Sequence, residues 1–204
     1  MLTRWLVESC RWNEAGQIPL LVASRDLLAV KLQWEAKAAA VRKDPAAASA
    51  AATKLALLSQ ESGQHPFVKS IIEIQAAEAE AFAAEAAGEA DNAVARLKEA
   101  VSIEDSIEDL SQPPYPVIPA TELCGNLLLE LNRPAEATIY FEKTLNRTPN
   151  RPKAIFGLAR AAELLGDSVT AKRRYEEFLT IWRTADHDRP ELAKARDFLQ
   201  GRHE

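Results

Sequence analysis

Apolar residues in this chain recur three and four positions apart, the spacing that gathers them on one side of a helix. Leu2, Trp5, Leu6 and Cys10 share one side of the first stretch. Leu192, Ala195 and Leu199 share one face of the last, with charges opposite. Runs that alternate apolar and polar β-branched residues, the mark of strands, are scarce. The pattern predicts an all-α chain of about ten helices, most of them roughly 12 to 20 residues long.

Punctuation places the helix ends. Asp44 reads as a cap with Pro45 at the first helical position, Pro66 does the same in "QHPFVK", and Asp188 with Pro190 near the end. Pro134 and Pro152 suit the same position after Asn132 and Asn150. Proline loses no hydrogen bond there, because the first N–H groups of a helix have no partner inside it. Gly88, Asn132 and Gly166 stand where a left-handed residue closes a last turn.

A second period lies above the helical one. An offset of 34 residues takes Gly125 to Ala159, Leu131 to Leu165, Asn132 to Gly166, Ala137 to Ala171, Phe141 to Tyr175 and Leu145 to Leu179. Small, aromatic and turn residues each fall on partners of like kind. The stretch "NRPAEATIYFEKTLNRTPNRP" then reads as the seam between two repeats rather than a phosphate patch, its arginines falling at turns and on solvated faces.

The repeated residues resemble the tetratricopeptide repeat, a helix–turn–helix unit of about 34 residues. Gly125, Ala137, Phe141 and Pro149 match in one unit, with Thr144 in place of the usual alanine. Leu158, Ala159, Gly166, Ala171 and Tyr175 match in the next, with Phe178 where a small residue is usual. A weaker unit matches through Gly88, Ala93, Leu97 and Ala100, and the loosest through Trp34, Ala38, Val41 and Leu55. The composite is similar to the C-terminal part of longer bacterial tetratricopeptide proteins of unassigned function.

The resemblance implies a right-handed α-solenoid of stacked antiparallel helix pairs with a C-terminal capping helix. Residues 1–204 read as a single α-helical repeat domain. Its parts are an N-terminal helix and connection (1–27), a degenerate repeat (28–62), a divergent repeat (66–109), a Pro-rich loop (110–118), two tetratricopeptide units (119–149 and 152–184) and the capping helix (188–201). The Pro-rich stretch reads as a packed inter-repeat loop or a recognition segment. The loop is favoured because Tyr115, Val117 and Ile118 are ready for burial.

Composition narrows the function. Apolar residues make up 47% and charged residues 27% of the chain, the balance of a folded soluble protein. The formal net charge of −5 is unevenly spread: residues 61–110 carry twelve Asp/Glu against three Lys/Arg. Such an acidic middle disfavours nucleic acid, since binding it requires neutralising many phosphates. Cys10 and Cys124 are isolated thiols without metal-ligand spacing. No membrane span and no signal peptide is evident, so a cytoplasmic location is expected.

Catalytic signatures are lacking. His65, His187 and His203 stand far apart, and no phosphate-cradling glycine loop or nucleophile elbow is present. Glu78 with Glu85, and Glu73 with Glu80, share helix faces and read as solvated acidic surface rather than an acid–base pair. No enzyme, cofactor or metal is expected.

The resemblance points instead to a groove, since the first helix of each unit lines the concave surface in that family. That face would present Glu78, Phe82 and Glu85, then Glu122, Asn126 and Leu129, then Lys153, Phe156, Arg160 and Glu163. Asn126 and Lys153 match positions that hold a peptide's terminal carboxylate in clamp-type members. Glu78 and Phe82 stand where that clamp has Lys and Asn, and Gly157 where it has a basic residue. The groove is therefore mixed, apolar and charged, and its expected occupant is a peptide or helix of a partner protein. The alternative is a self-associating structural subunit or homo-oligomer, or a fragment of a longer array, using Trp5, Leu6 and Trp12.

Overall fold

The structure, a computed structural model, describes residues 25–61, 65–107, 118–185 and 189–202. These residues form nine α-helices and no strand. They are α1 (Arg25–Val41), α2 (Pro45–Ser59), α3 (Pro66–Ala86), α4 (Ala90–Asp105), α5 (Ala120–Glu130), α6 (Pro134–Arg147), α7 (Pro152–Leu164), α8 (Ser168–Ile181) and α9 (Pro190–Leu199). Among them no helix is long and apolar enough to cross a membrane.

Proline opens five of the helices, α2, α3, α6, α7 and α9. Asp44 caps α2 by accepting from the Ala47 N–H at 3.0 Å, and Asp167 caps α8 by accepting from Thr170 at 3.0 Å. His65 caps α3 through its Nδ1, which accepts from Phe67 at 3.3 Å. At α9 the cap position belongs to Arg189 rather than Asp188, which lies outside the described residues.

Four turns share one geometry. Lys43, Gly88, Asn132 and Gly166 all have left-handed φ values, between 55° and 77°. After each, the next N–H reaches back five residues: Asp44 to Ala39, Glu89 to Ala84, Arg133 to Leu128 and Asp167 to Ala162, at 2.8–3.0 Å. These are Schellman closures, which satisfy carbonyls that the helix end leaves open. Three residues thus separate α1 from α2, α3 from α4, α5 from α6, and α7 from α8. The last two of these four residues, Asn132 and Gly166, are 34 positions apart (166 − 132).

The chain divides into two compact units, Met1–Ala120 and Thr121–Glu204. In the first, α3 packs against α1, α2 and α4. Contact with three helices explains why α3 is buried on nearly every side, through Ile71, Ile72, Ile74, Ala76, Ala79, Ala81, Phe82 and Ala84. Alanines let the neighbouring backbones come close, and Trp34, Leu55 and Leu97 supply the bulk. Ile118 at the end of the Pro-rich stretch is buried, whereas Tyr115 and Val117 lie outside the described residues.

In the second unit α6 packs on α7, α7 on α8, and α8 on α9. Phe141 of α6 is fully buried between Gly125 of α5 and Gly157 of α7. Beyond it Ile155, Ala159, Ala171, Tyr175, Phe178, Leu192 and Ala195 form one core. Phe178, where the repeat pattern has a small residue, is used to build it. Its ring lies 5.1 Å from Phe156 and 4.9 Å from Trp182, so bulk replaces close approach at this point. Thr144, in place of the usual alanine, is buried with its hydroxyl 2.8 Å from the Thr121 hydroxyl and 2.9 Å from the Tyr140 carbonyl.

Candidate functional site

In the first unit, polar residues collect along the seam where α1 meets α3. Gln33 of α1 donates from Nε2 to the Glu78 carboxyl of α3. One turn on, Lys37 pairs with Glu85 at 3.0 Å and lies 4.8 Å from the centre of the Phe82 ring. Glu78 is 0% exposed, and its second oxygen has no hydrogen-bond partner among the described residues. Burial, then the charge of nearby Glu104 on α4, pushes its carboxyl well above the usual range, against the opposing pull of the Gln33 hydrogen bond. Both effects favour the protonated form over the ionised one.

Glu78 therefore does not stand on a solvated acidic face. The sequence reading holds for Glu73 and Glu80, which make partly exposed pairs with Lys69 at 3.6 Å and Arg96 at 3.4 Å. The difference is one of helix face: Glu78 and Glu85 turn toward α1, and Glu80 toward α4. Phe82 is likewise buried, at 2% exposure, rather than displayed.

The second unit treats its candidates in two ways. Glu122 of α5 is 0% exposed and takes both nitrogens of a fork from Arg151, at the start of α7. The Arg151 Nη2 contact measures 3.0 Å, and Nε completes the pair. Arg151, read from sequence as a turn arginine, thus ties α5 to α7 across 29 residues. Leu129 is also buried, and Asn126 is half-buried.

On α7 a strip remains accessible. Lys153 and Phe156 are half-buried and Arg160 is exposed, whereas Ala154, Ile155, Gly157, Leu158 and Ala159 are buried. Spacings of three and four put the three accessible residues on one side of the helix. Phe156 backs onto the core, 5.8 Å from Tyr175. Glu163 extends the strip and is tied down by the Tyr175 hydroxyl at 2.6 Å and Lys194 at 2.8 Å.

These ties set the electrostatics of the strip. Burial pushes the Glu163 carboxyl up, but hydrogen bonds from Lys194 and Tyr175, with the charges of Lys194 and Arg160, hold it below its ordinary value. Burial and the facing carboxylate push the Tyr175 hydroxyl far above its ordinary range, so it stays a donor.

The structure thus brings Lys153, Phe156 and Arg160 together on one accessible strip and draws Glu78, Phe82, Glu122 and Leu129 inward. Trp5, Leu6 and Trp12 lie outside the described residues. Gln33, Lys37, Arg151, Tyr175 and Lys194 take part without having been singled out as site residues. Most of their partners are 29 to 48 residues away, where no local spacing announces them. Set against models of known protein families and against curated proteins, the chain matches none.

Proposed function

We propose that the chain is a non-catalytic interaction module that takes a segment of a partner protein on the α7 strip of Lys153, Phe156 and Arg160. The carrying observation is the contrast within α7, where those positions stay accessible while the residues between them are buried. An aromatic flanked by two cations offers a partner apolar area at its centre and charge at its rim, the layout of a small binding patch. It suits an amphipathic segment with carboxylates beside an apolar anchor.

The 34-residue offset and the recurring three-residue turn support building this module as a right-handed tetratricopeptide-type array. The test is affinity capture from the native cell, with the captured protein identified by mass spectrometry and then bound in purified form. Lys153→Glu with Arg160→Glu should reduce that binding at least about tenfold, each lost charged contact being worth roughly 1.5–3 kcal/mol. Helicity by circular dichroism should not change. Undiminished binding by the folded double variant would remove the strip from the proposal.

A second reading, self-association through Trp5, Leu6 and Trp12, rests on the apolar pattern of the N-terminal stretch. Light scattering decides it: a monomer at tens of micromolar speaks against that role.

A further inference from the structure

The seam between α1 and α3 ends, near the first turns of both helices, in a cavity of about 80 Å³. Its walls are apolar, from Val30 of α1 and Phe67, Ile71 and Ile72 of α3. Two polar side chains break that lining, Asp26 of α1 and Gln75 of α3. Gln75 is only 2% exposed, and its amide oxygen is buried without a hydrogen-bond partner among the described residues.

An unsatisfied acceptor in that setting is costly. Burying an amide oxygen without a donor costs about 1–3 kcal/mol in proteins, so such a group calls for one. Asp26, on the same lining, is exposed. A carboxylate in the first turn of a helix is favoured by the helix dipole in any case, so Asp26 alone marks nothing. Gln75 alone marks only a missing donor. Together they set an unpartnered acceptor and a carboxylate on the lining of one small apolar cavity.

We propose that this cavity binds a primary alkylammonium group. Its N–H donors meet the Gln75 amide oxygen and the Asp26 carboxylate, and its aliphatic chain lies against Val30, Ile71 and Ile72. An ammonium suits the site because it carries three donors and no acceptor. The size fits as well: a 150 Å³ cavity takes the six carbons of benzene, so about 80 Å³ takes roughly three or four. The surrounding sequence adds attraction, since residues 61–110 hold twelve acidic against three basic side chains. This site belongs to the first unit, whereas the α7 strip belongs to the second. The group has two sources, a free alkylamine or the lysine side chain of a partner.

The experiment titrates the full chain with n-butylamine, protonated at neutral pH, while following the methyl resonances of Val30, Ile71 and Ile72 and the Gln75 side-chain amide. Parallel titrations use n-butanol, butyrate and Nα-acetyl-lysine methylamide. Butylammonium should shift these resonances saturably, with butanol at least about tenfold weaker and butyrate inactive, the charged hydrogen bonds making the difference. Asp26→Asn, an exposed change that leaves folding intact, should weaken butylammonium by about tenfold or more, and Gln75→Leu should do the same. Binding by butylammonium alone assigns the site to free amines, and binding by the lysine derivative as well assigns it to a partner's side chain. Equal shifts with butanol, an undiminished response in Asp26→Asn, or no saturable shift at all would overturn the proposal.

Discussion

The Phe141 ring occupies the space that a side chain at position 157 would need: a Cβ on Gly157 would stand 2.7 Å from Cε2 of that ring. A Cβ on Gly125 would meet Cε1 of the same ring at 2.8 Å. The resemblance to clamp-type repeats leads one to expect a basic residue at position 157, and the Phe141 ring leaves no room for a side chain there. We expect Gly157→Ala to cost about 1–3 kcal/mol through overpacking. Urea unfolding measures it, and Phe141→Leu in the same chain should recover part of the loss. A Gly157→Ala variant as stable as the parent would contradict this packing.

Glu78 makes stability depend on pH in a direction opposite to most carboxylates. Its carboxyl is raised in the folded chain, so the unfolded chain ionises first as pH rises. Stability from this group is therefore fully present below about pH 4.5, where both states are protonated, and is lost progressively above it. Glu78→Gln keeps the shape and an acceptor for Gln33 but cannot ionise. The variant should melt higher than the parent at pH 8, with the gap closing toward pH 4. A gap that widens on acidification would reverse the assignment.

Arg151 and Glu122 should behave as a buried pair rather than a surface one. Arg151→Met leaves the Glu122 carboxylate buried without its fork, which costs on the order of 3–5 kcal/mol when a buried charge loses its partner. Glu122→Leu combined with Arg151→Met should cost much less than the sum of the single changes. Chemical denaturation of the four chains provides the cycle, and additive costs would show the pair to be uncoupled.

Lys43 adopts at 56° the same left-handed φ that Gly88 and Gly166 adopt at 77°. A side chain in that conformation costs roughly 1–2 kcal/mol, part of which glycine's looser unfolded state returns. Lys43→Gly should stabilise the chain by up to about 1 kcal/mol, read as a rise in the denaturation midpoint. A loss of stability would mean that the lysine side chain contributes more than its conformation costs.

The turns at Gly88, Asn132 and Gly166 were legible because their cause is local: these residue types tolerate a positive φ. Lys43 uses the same turn without the compositional cue and was missed. Proline gave the starts of α2, α3, α6, α7 and α9 for the same local reason. The candidate site was less legible. Periodicity sorts α3 into faces but does not count its neighbours, so Glu78 read as solvated although α1 and α4 flank it. Arg151 sits in a turn by sequence, yet its partner Glu122 is 29 residues earlier and visible only once α5 and α7 meet. Lys153, Phe156 and Arg160 were placed by helical spacing and resemblance together, and spacing alone suffices to align them on α7.

The recurring three-residue link between helices also bears on how fast the chain folds. Closing so short a loop sacrifices little chain entropy, and each of the first eight helices has a packing partner directly before or after it in sequence. Contact order is therefore low, the regime in which helical proteins fold in microseconds to milliseconds. The distant ties, Gln33 to Glu78 and Glu122 to Arg151, bridge separate hairpins and so close longer stretches of chain than the links within each hairpin. Removing one of them is expected to speed unfolding more than it slows folding, which the two arms of a chevron plot for Arg151→Met would measure.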